Sequence, residues 1–516
     1  MKKQTLLLML ALLLSISGNA QKSTLEASIT NQVAPAFIRV QDNNVLCIKI
    51  KNPSDRELTV SSITLSLKGT DNLKDIKHLR LYTTGAAPAF RPDVIFGKTA
   101  EPAASVTFKG QQTLFPGDNY FWASVTLSPA AGLLDEIHIA CENIKTTEKT
   151  TVAVTSAISP VRIGEAIRKR MDDQSHTYRI PGLVRTPKGT LIAVYDIRWK
   201  NSGDLQGDID VGVSRSLDNG QTWLPMQKAI DMGEWGGLSE TENGIGDPAI
   251  LVDEQTGRIW VAALWLHGKK GKAAWWASQP GMTPQETGQF ILAYSDDEGA
   301  TWSEPINITQ QVKKTEWFLC FNGPGMGIMK KDGTLVFPAQ FKDKDQVPHS
   351  TIIYSKDRGK TWHIGTGAKS KTTESQVVEL ADGSLMLNMR DDRGGSRSVA
   401  VTRDLGQTWE EHVSSRSALP ESICQASIIS VTLKNGRQAL AFFNPATTRG
   451  RHHMTLKLSF DEGKTWPEKY HTLLYEPGTY GYSCLTQIDP ATLGVLYEGA
   501  GDLYFQLIDL NKVIKE

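Results

Sequence analysis

The chain has 516 residues, too many for one ordinary hydrophobic core, so we expect at least two domains. Lysine plus arginine and aspartate plus glutamate each total 56, so the formal net charge is zero and no global positive field attracts nucleic acid. Any anion-binding site must therefore be local. The five cysteines are far apart and form no CxxC motif, which indicates neither a zinc site nor a dense disulfide framework and leaves open one bridge between Cys47 and Cys141.

The N-terminus has the three-part pattern of a secretory signal peptide. Lys2 and Lys3 give a basic start, residues 6–15 form an apolar core, and residues 18–20 form a small-residue cleavage site. We expect cleavage after Ala20. The apolar run is too short to span a membrane stably, and no later stretch approaches about 18 apolar residues. The sequence therefore predicts export to a periplasm or the exterior, without membrane insertion.

Residues 21–156 alternate apolar and polar side chains in short runs separated by polar turns. This pattern predicts an antiparallel β-sandwich. Two roles stay open for it, namely carbohydrate binding and a packing or spacer function. The linker to the following domain is expected near residues 156–160.

The rest of the chain carries five copies of one pattern, Ser/Thr-x-Asp-x-Gly-x-Thr-Trp. The copies span residues 216–223, 295–302, 355–362, 402–409 and 459–466. The spacing is loose but close to the length of a four-stranded propeller blade. In each copy aspartate can accept backbone hydrogen bonds, glycine can adopt positive φ, and tryptophan can pack between sheets. We interpret these boxes as structural turns and exclude their aspartates from catalysis.

Residues 157–516 are therefore predicted to form an all-β, six-bladed β-propeller. Five blades end in a box, and a sixth runs through residues 485–508 and is closed by an early strand near Val161. Hairpin turns are predicted at residues 331–333, 381–383 and 434–436. Propellers carry functional residues on inner-strand ends and loops around the central channel, so the chemistry is expected there.

The sequence Arg179-Ile180-Pro181 near the start of this region, followed by five boxes, resembles the bacterial exo-α-sialidases (neuraminidases) with Asp-box (BNR) repeats. The resemblance implies a retaining glycoside hydrolase that removes terminal α-ketosidically linked sialic acids from glycoproteins, glycolipids and oligosaccharides. It implies a covalent tyrosyl intermediate and no metal or organic cofactor. Sialylated glycans are the expected partners, and a monomer is expected.

Sialic acid carries a carboxylate on its anomeric carbon, and arginine is the side chain best suited to clamp such an anion. The family uses three arginines. The matching positions are Arg179, Arg390 and Arg451, the last chosen by its distance from the strand at residues 454–458 and its box. Arg449 is the alternative for the third position.

The resemblance also assigns the reacting groups. Tyr482 matches the family's tyrosine nucleophile, which is neutral and so is not repelled by the substrate's carboxylate. A phenol needs a base, and Glu374 matches that role. Asp204, in a Gly-rich loop that could close over substrate and raise the acid's pKa, matches the general acid and base. Asp208 and Asp210 are its near neighbours and less favoured by their distance from Arg179.

Arg198 and Asp247 match the family's contacts to the ring O4 hydroxyl. An apolar pocket for the N-acetyl group and polar contacts to the glycerol tail are expected, with Trp199, Phe321 and Gln340 as nearby candidates. Linkage preference among α2,3, α2,6 and α2,8 stays open. So do two alternative functions: an intramolecular trans-sialidase that releases an anhydro sugar, and a sugar-binding propeller without catalysis.

Overall fold

The computed structural model describes residues 25–148, 152–266 and 273–514. The predicted signal peptide lies outside these residues. Strands dominate the described chain, and its α-helices are short, namely α1 (Ala274–Ala277), α2 (Thr309–Val312) and α3 (Leu510–Ile514). Single 3₁₀ turns occur at Leu73–Asp75, Asp172–Gln174 and Glu468–Tyr470. None of the helices found in these ranges is long and apolar enough to cross a bilayer.

The N-terminal part is built from two sheets. The first has five strands, in the spatial order Val152–Ala157, Leu25–Thr30, Asn43–Asn52, Gly117–Leu127 and Ile76–Gly85, and the second has three, in the order Ser105–Leu114, Leu58–Ser66 and Ala140–Thr146. Their alternating apolar residues, such as Ile48 and Ile63, are buried in one shared cluster, as expected for a sandwich. The strands are β1 (Leu25–Thr30), β2 (Ala36–Ile38), β3 (Asn43–Asn52), β4 (Leu58–Ser66), β5 (Ile76–Gly85), β6 (Ser105–Leu114), β7 (Gly117–Leu127), β8 (Glu136–Ile137), β9 (Ala140–Thr146) and β10 (Val152–Ala157).

The first three propeller blades follow in chain order from an early strand, β11 (Val161–Arg168). Blade 1 contains β12 (Thr177–Arg185), β13 (Leu191–Arg198), β14 (Ile209–Ser216) and β15 (Gln227–Ile230). Blade 2 contains β16 (Gly244–Val252), β17 (Ile259–Leu266), β18 (Gln289–Ser295) and β19 (Ile306–Asn307). Blade 3 contains β20 (Leu319–Asn322), β21 (Gly325–Met326), β22 (Ile328–Met329), β23 (Leu335–Lys342), β24 (Pro348–Ser355), β25 (His363–Ile364) and β26 (Lys369–Ser370), of which β21 pairs with β16.

The remaining three blades complete the ring. Blade 4 contains β27 (Thr372–Glu379), β28 (Leu385–Asp391), β30 (Ser398–Thr402) and β31 (Glu410–Glu411), with β29 (Gly395–Ser396) and β32 (Pro420–Glu421) as a separate pair. Blade 5 contains β33 (Ser427–Thr432), β34 (Gln438–Pro445), β35 (Met454–Ser459) and β36 (His471–Tyr475). Blade 6 contains β37 (Ser483–Asp489), β38 (Thr492–Glu498), β39 (Leu503–Asp509) and the early strand β11. The predicted closure of the sixth blade by a strand near Val161 is confirmed.

Each box forms the same hydrogen-bonded turn. In the second copy, Oδ1 of Asp297 accepts from Oγ of Ser295 at 2.8 Å and from the backbone N–H of Thr301 at 2.8 Å, while the Gly299 N–H donates to Ser295 Oγ. The same bonds recur in the other four copies. The box aspartates are therefore engaged within their own turns, in agreement with a structural role.

The box glycines also join neighbouring blades. A Cβ on Gly220 of blade 1 would lie 2.1 Å from Phe505 of blade 6, and one on Gly359 of blade 3 would lie 2.3 Å from Trp260 of blade 2. Each glycine has positive φ as well. Glycine is thus required twice at these positions, by the turn and by the close approach of the preceding blade.

The N-terminal part extends blade 6 directly. Strand β2 pairs in parallel with β11, and β8 pairs with β11 in antiparallel fashion. The bridge left open between Cys47 and Cys141 is not formed: Cys47 lies on the first sandwich sheet, Cys141 on the second, and both are free. Burial raises the pKa of the Cys47 thiol to about 11 and that of Cys141 to about 12.

Candidate active site

A cavity of about 290 Å³ opens where the first strands of blades 1, 2, 3 and 4 begin. Five of the predicted site residues line it, namely Asp204, Asp247, Glu374, Arg390 and Tyr482. The candidates Phe321 and Gln340 also line it. Trp199 is engaged elsewhere, because its indole N–H donates to Oδ2 of Asp210 at 2.8 Å.

Tyr482 and Glu374 form the chemical centre of this cavity. The Tyr482 hydroxyl donates a short hydrogen bond to Oε1 of Glu374, and Arg390 Nη1 donates to Oε2 of Glu374 at 2.6 Å and to the Tyr482 hydroxyl at 3.2 Å. Burial, followed by the charge of Glu374, raises the pKa of Tyr482 well above its usual value, although nearby arginines oppose this. The phenol is therefore neutral at rest, and its proton already points at a carboxylate.

Three arginines converge on the same phenol. The guanidinium carbons of Arg179 and Arg451 lie 5.4 and 5.6 Å from the centre of the Tyr482 ring, and Arg390 contacts its hydroxyl. Arg451 is held by the carbonyls of Tyr480 and Ile423 at 2.9 and 3.1 Å. Arg449, the alternative third arginine, is exposed.

Glu498, at the end of β38, is a site residue that the sequence analysis did not predict. Its Oε1 accepts from Arg179 Nε at 3.0 Å and from the Ile180 N–H at 2.9 Å, while its Oε2 accepts from the Tyr482 N–H at 2.9 Å. The side chain is fully buried. One carboxylate thus fixes both a clamp arginine and the backbone that carries the tyrosine.

Asp204 pairs with two arginines. Its Oδ1 lies 3.2 Å from Arg179 Nη1 and 2.7 Å from Arg198 Nη1, and its side chain is 69% exposed. Partial enclosure acts to raise the pKa of Asp204, but the charges of Arg198 and Arg179 outweigh it and hold the pKa below its usual value. From the sequence we expected the loop to raise the pKa of Asp204. In this structure the pKa of Asp204 is lowered instead.

The two neighbouring acids have other partners. Asp208 lies 3.4 Å from Lys200, and Asp210 lies 2.8 Å from Lys228 in addition to its bond with Trp199. Asp204 is the one of the three that lines the cavity.

Asp247 and Arg198 occupy different depths of the site. Asp247 lines the cavity, and burial, followed by the nearby charges of Asp196, Asp204 and Glu374, raises its pKa well above the usual value, although Arg198 opposes the shift. Arg198 lies behind it with a side chain only 1% exposed. Asp196 connects the two, since it accepts from the Asp247 N–H at 2.9 Å and from Arg198 Nη2 at 2.8 Å.

Comparison with known proteins matches both parts of the chain. Residues 24–150 match the family described as the N-terminal domain of BNR-repeat neuraminidase, and residues 168–495 match the family described as a BNR repeat-like domain. A sialidase of Bacteroides fragilis (strain YCH46) is 44% identical over 513 residues, covering 93% of this chain and 94% of its own. The chain belongs to the BNR-repeat sialidase family. It is a glycoside hydrolase of the exo-sialidase class.

Solved structures of sialidases agree with this membership. The Hadza microbial sialidase Hz136 superposes with a TM-score of 0.89 at 44% identity, covering 94% of this chain and all of that one. A Trypanosoma rangeli sialidase in complex with 2,3-difluorosialic acid has a TM-score of 0.57 at 22% identity, covering 68% of this chain and 59% of its own, and shares the fold. Across the described residues of this sialidase, no group of three or more His, Cys, Asp and Glu side chains could hold a metal ion.

Proposed function

We propose that the protein is a retaining exo-α-sialidase that hydrolyses terminal α-ketosidically linked sialic acids through a covalent tyrosyl intermediate. The observation that carries this proposal is the convergence of Arg179, Arg390 and Arg451 on the phenol of Tyr482, whose hydroxyl donates to Glu374. Three fixed cations around one nucleophile suit a substrate whose reacting carbon carries a carboxylate.

In the first step the arginines hold the substrate carboxylate and bring the anomeric carbon to Tyr482. The phenolic oxygen forms a bond to that carbon while its proton passes to Glu374, and the bond to the leaving oxygen breaks. Arg390 stabilises the carboxylate of Glu374 from the other side at 2.6 Å before the transfer. A neutral phenol is a poor nucleophile at physiological pH, and in this arrangement Glu374 would remove its proton as the new bond forms.

Asp204 would protonate the leaving oxygen and later deprotonate the water that releases free sialic acid with retained configuration. Its pKa is held low by Arg179 and Arg198. A substrate carboxylate that takes Arg179 from Asp204 would remove part of this effect, because one of the two cations is then shared with another anion. Substrate binding would thus favour the protonated acid.

The remaining walls suggest how the sugar is oriented. Asp247, which lines the cavity, would form a hydrogen bond with a ring hydroxyl. The apolar side chains of Leu264, Leu319 and Phe321 line the same cavity and would accommodate the N-acetyl methyl group. Oε1 of Gln340, buried without a hydrogen-bond partner among the described residues, would accept from a substrate N–H or O–H. Export through the leader at residues 1–20 is part of the same proposal.

The test is release of product from α2,3- and α2,6-sialyllactose by the purified mature protein, with products resolved by chromatography. Free sialic acid is expected from the wild type, with a loss of roughly a hundredfold or more in kcat for Tyr482→Phe and in kcat/KM for Arg179→Ala. Tyr480→Phe is the matched control. An anhydro sugar as product would replace hydrolysis by the intramolecular trans-sialidase reaction, and no turnover of either substrate would overturn the enzymatic proposal.

A further inference from the structure

Arg198 is bound to the backbone of the loop that carries Asp204. Its Nη1 donates to the carbonyls of Ser202 and Gly203 at 2.9 and 3.0 Å and to Oδ1 of Asp204 at 2.7 Å. Three consecutive residues of the loop therefore accept hydrogen bonds from the same nitrogen, Nη1 of Arg198. Such contacts fix where the Asp204 carboxylate stands relative to the cavity.

Asp196 holds the other edge of the same guanidinium. Its Oδ2 accepts from Arg198 Nε at 3.0 Å and from Nη2 at 2.8 Å, in a pair whose two side chains are each 1% exposed. A Cβ on Gly246 would lie 2.9 Å from Oδ1 of Asp196, so the carboxylate has little room to move. Arg198 is thus anchored on one edge and binds the loop with the other.

We infer that Arg198, anchored by Asp196, is a positioning residue that holds the loop at residues 202–204 and presents the Asp204 carboxylate to the leaving-group oxygen. This inference rests on the proposed function and deepens it. Arg198 has at most one N–H without an acceptor among these contacts, and its side chain is almost fully buried. Its described bonds lead to the acid loop and not to the cavity.

Arg198 is also the cation that stays with Asp204 during the reaction. Arg179 contacts Asp204 too, but Arg179 belongs to the clamp and would turn to the substrate carboxylate. The titratable and charged groups facing Asp204 are then Arg198 in contact, Arg179 and Arg451 around the bound anion, and Asp247, whose pKa is raised by burial. Removing Arg198 would deprive the acid of both its position and its main counter-charge.

The experiment compares two substrates that differ in their need for an acid. Sialyllactose has a poor alcohol leaving group and requires protonation, whereas the 4-nitrophenyl α-sialoside has a good leaving group and requires it far less. The measured quantity is the ratio of kcat/KM for the aryl sialoside to kcat/KM for sialyllactose. Asp204→Asn defines the ratio when the acid is missing.

For Arg198→Gln and Asp196→Asn we expect this ratio to rise by about tenfold or more, in the direction of Asp204→Asn. In Arg198→Gln the alkaline limb of the pH profile of kcat/KM for sialyllactose should also move to higher pH, because one cation that lowers the pKa of Asp204 is gone. Arg168→Gln is the control. Arg168 is a buried arginine bound to Tyr195 and Ser214, and its loss should leave the ratio unchanged.

An unchanged ratio in both variants, with equal losses on the two substrates, would overturn the inference and leave Arg198 only the contact with the ring O4 hydroxyl that the sequence analysis predicts, since the two substrates share that hydroxyl. Should Arg198→Gln fail to fold, Asp196→Asn, which keeps the side-chain volume, decides the question alone. Absence of wild-type activity on both substrates would instead overturn the proposed function, and this inference with it.

Discussion

The hydroxyl of Tyr482 donates to Oε1 of Glu374 across 108 positions of sequence. Tyr482 immediately precedes the first strand of blade 6, and Glu374 lies near the start of the first strand of blade 4. The bond therefore joins blades 4 and 6, and it exists because the propeller brings the beginnings of its inner strands together. A base placed in this way can accept the phenol proton without rearrangement of the fold.

Glu374→Gln should lower kcat by roughly 10²–10⁴-fold, because an amide cannot take the Tyr482 proton. The measurement is steady-state hydrolysis of sialyllactose. Glu379→Gln is a suitable control, since Glu379 lies on the same strand and its Oε2 accepts from the Lys331 N–H. Similar activity losses in the two variants would contradict the role of Glu374 as base.

The two candidates for the third clamp arginine can be separated by substitution. Arg451→Ala should reduce kcat/KM by about 10–100-fold, the effect of losing a charge-assisted hydrogen bond to a carboxylate. Arg449→Ala should have little effect, because Arg449 is exposed while Arg451 lies against Tyr482. Kinetics of both variants on one substrate provide the check, and the reverse ranking would move the clamp to Arg449.

Glu498→Gln should lower both thermal stability and activity. The substitution leaves Arg179 without its buried counter-ion. It also turns the amide NH₂ towards N–H donors at one of the two oxygen positions, either those of Arg179 and Ile180 or that of Tyr482. Breaking a buried ion pair costs about 3–5 kcal/mol. Differential scanning calorimetry measures the loss, with Glu410→Gln, at an exposed position, as the control. A variant as stable and active as the wild type would show that Glu498 holds neither group.

Local chemistry explains what could be predicted from the sequence. Each box is closed by hydrogen bonds within about five residues, so its eight-residue pattern already contains the turn, and the recurrence of the turn predicts blades. The turns predicted at Gly333, Gly383 and Gly436 have positive φ and connect strands as expected. Such features need no knowledge of distant residues.

The parts that could not be predicted depend on distant partners. Glu498 meets Arg179 across 319 positions, and a glutamate at the end of an ordinary strand gives no sign of this. Asp196 lies opposite Arg179 in the β12–β13 register, which would have been a usable signal once the hairpin was assigned. The binding of Arg198 to the acid loop depends on how residues 202–204 fold back, which composition does not determine.

The close packing of boxes against neighbouring blades can be tested with two glycines of similar φ. Gly359 has φ +85° and Gly436 has φ +80°, so alanine at either position incurs backbone strain of about 1–2 kcal/mol. Only Gly359→Ala also brings a Cβ within 2.3 Å of Trp260, whereas Gly436 has nothing within 4 Å. Overpacking should therefore add about 1–3 kcal/mol to the stability that Gly359→Ala loses. Equal shifts in Tm would refute the close approach.

Glu165 should make stability depend on pH near neutrality. It is 6% exposed on β11, at the junction of blade 6 with strand β2, and burial raises its pKa to about 7 although Arg39 opposes the shift. The folded protein thus binds this proton more tightly than the unfolded chain does. The contribution of Glu165 to the stability of the fold is fully present below its pKa in the unfolded chain, near 4.5, and is lost as pH rises through about 7.

Glu165→Gln removes this dependence, because glutamine stays neutral at every pH. We expect the variant to gain stability relative to the wild type as pH rises from 5 to 8, by up to about 3 kcal/mol. Tm values of both proteins across that range supply the measurement. A constant difference in Tm would mean that Glu165 does not titrate between these limits, and that its environment at the β2–β11 junction is more polar than its burial indicates.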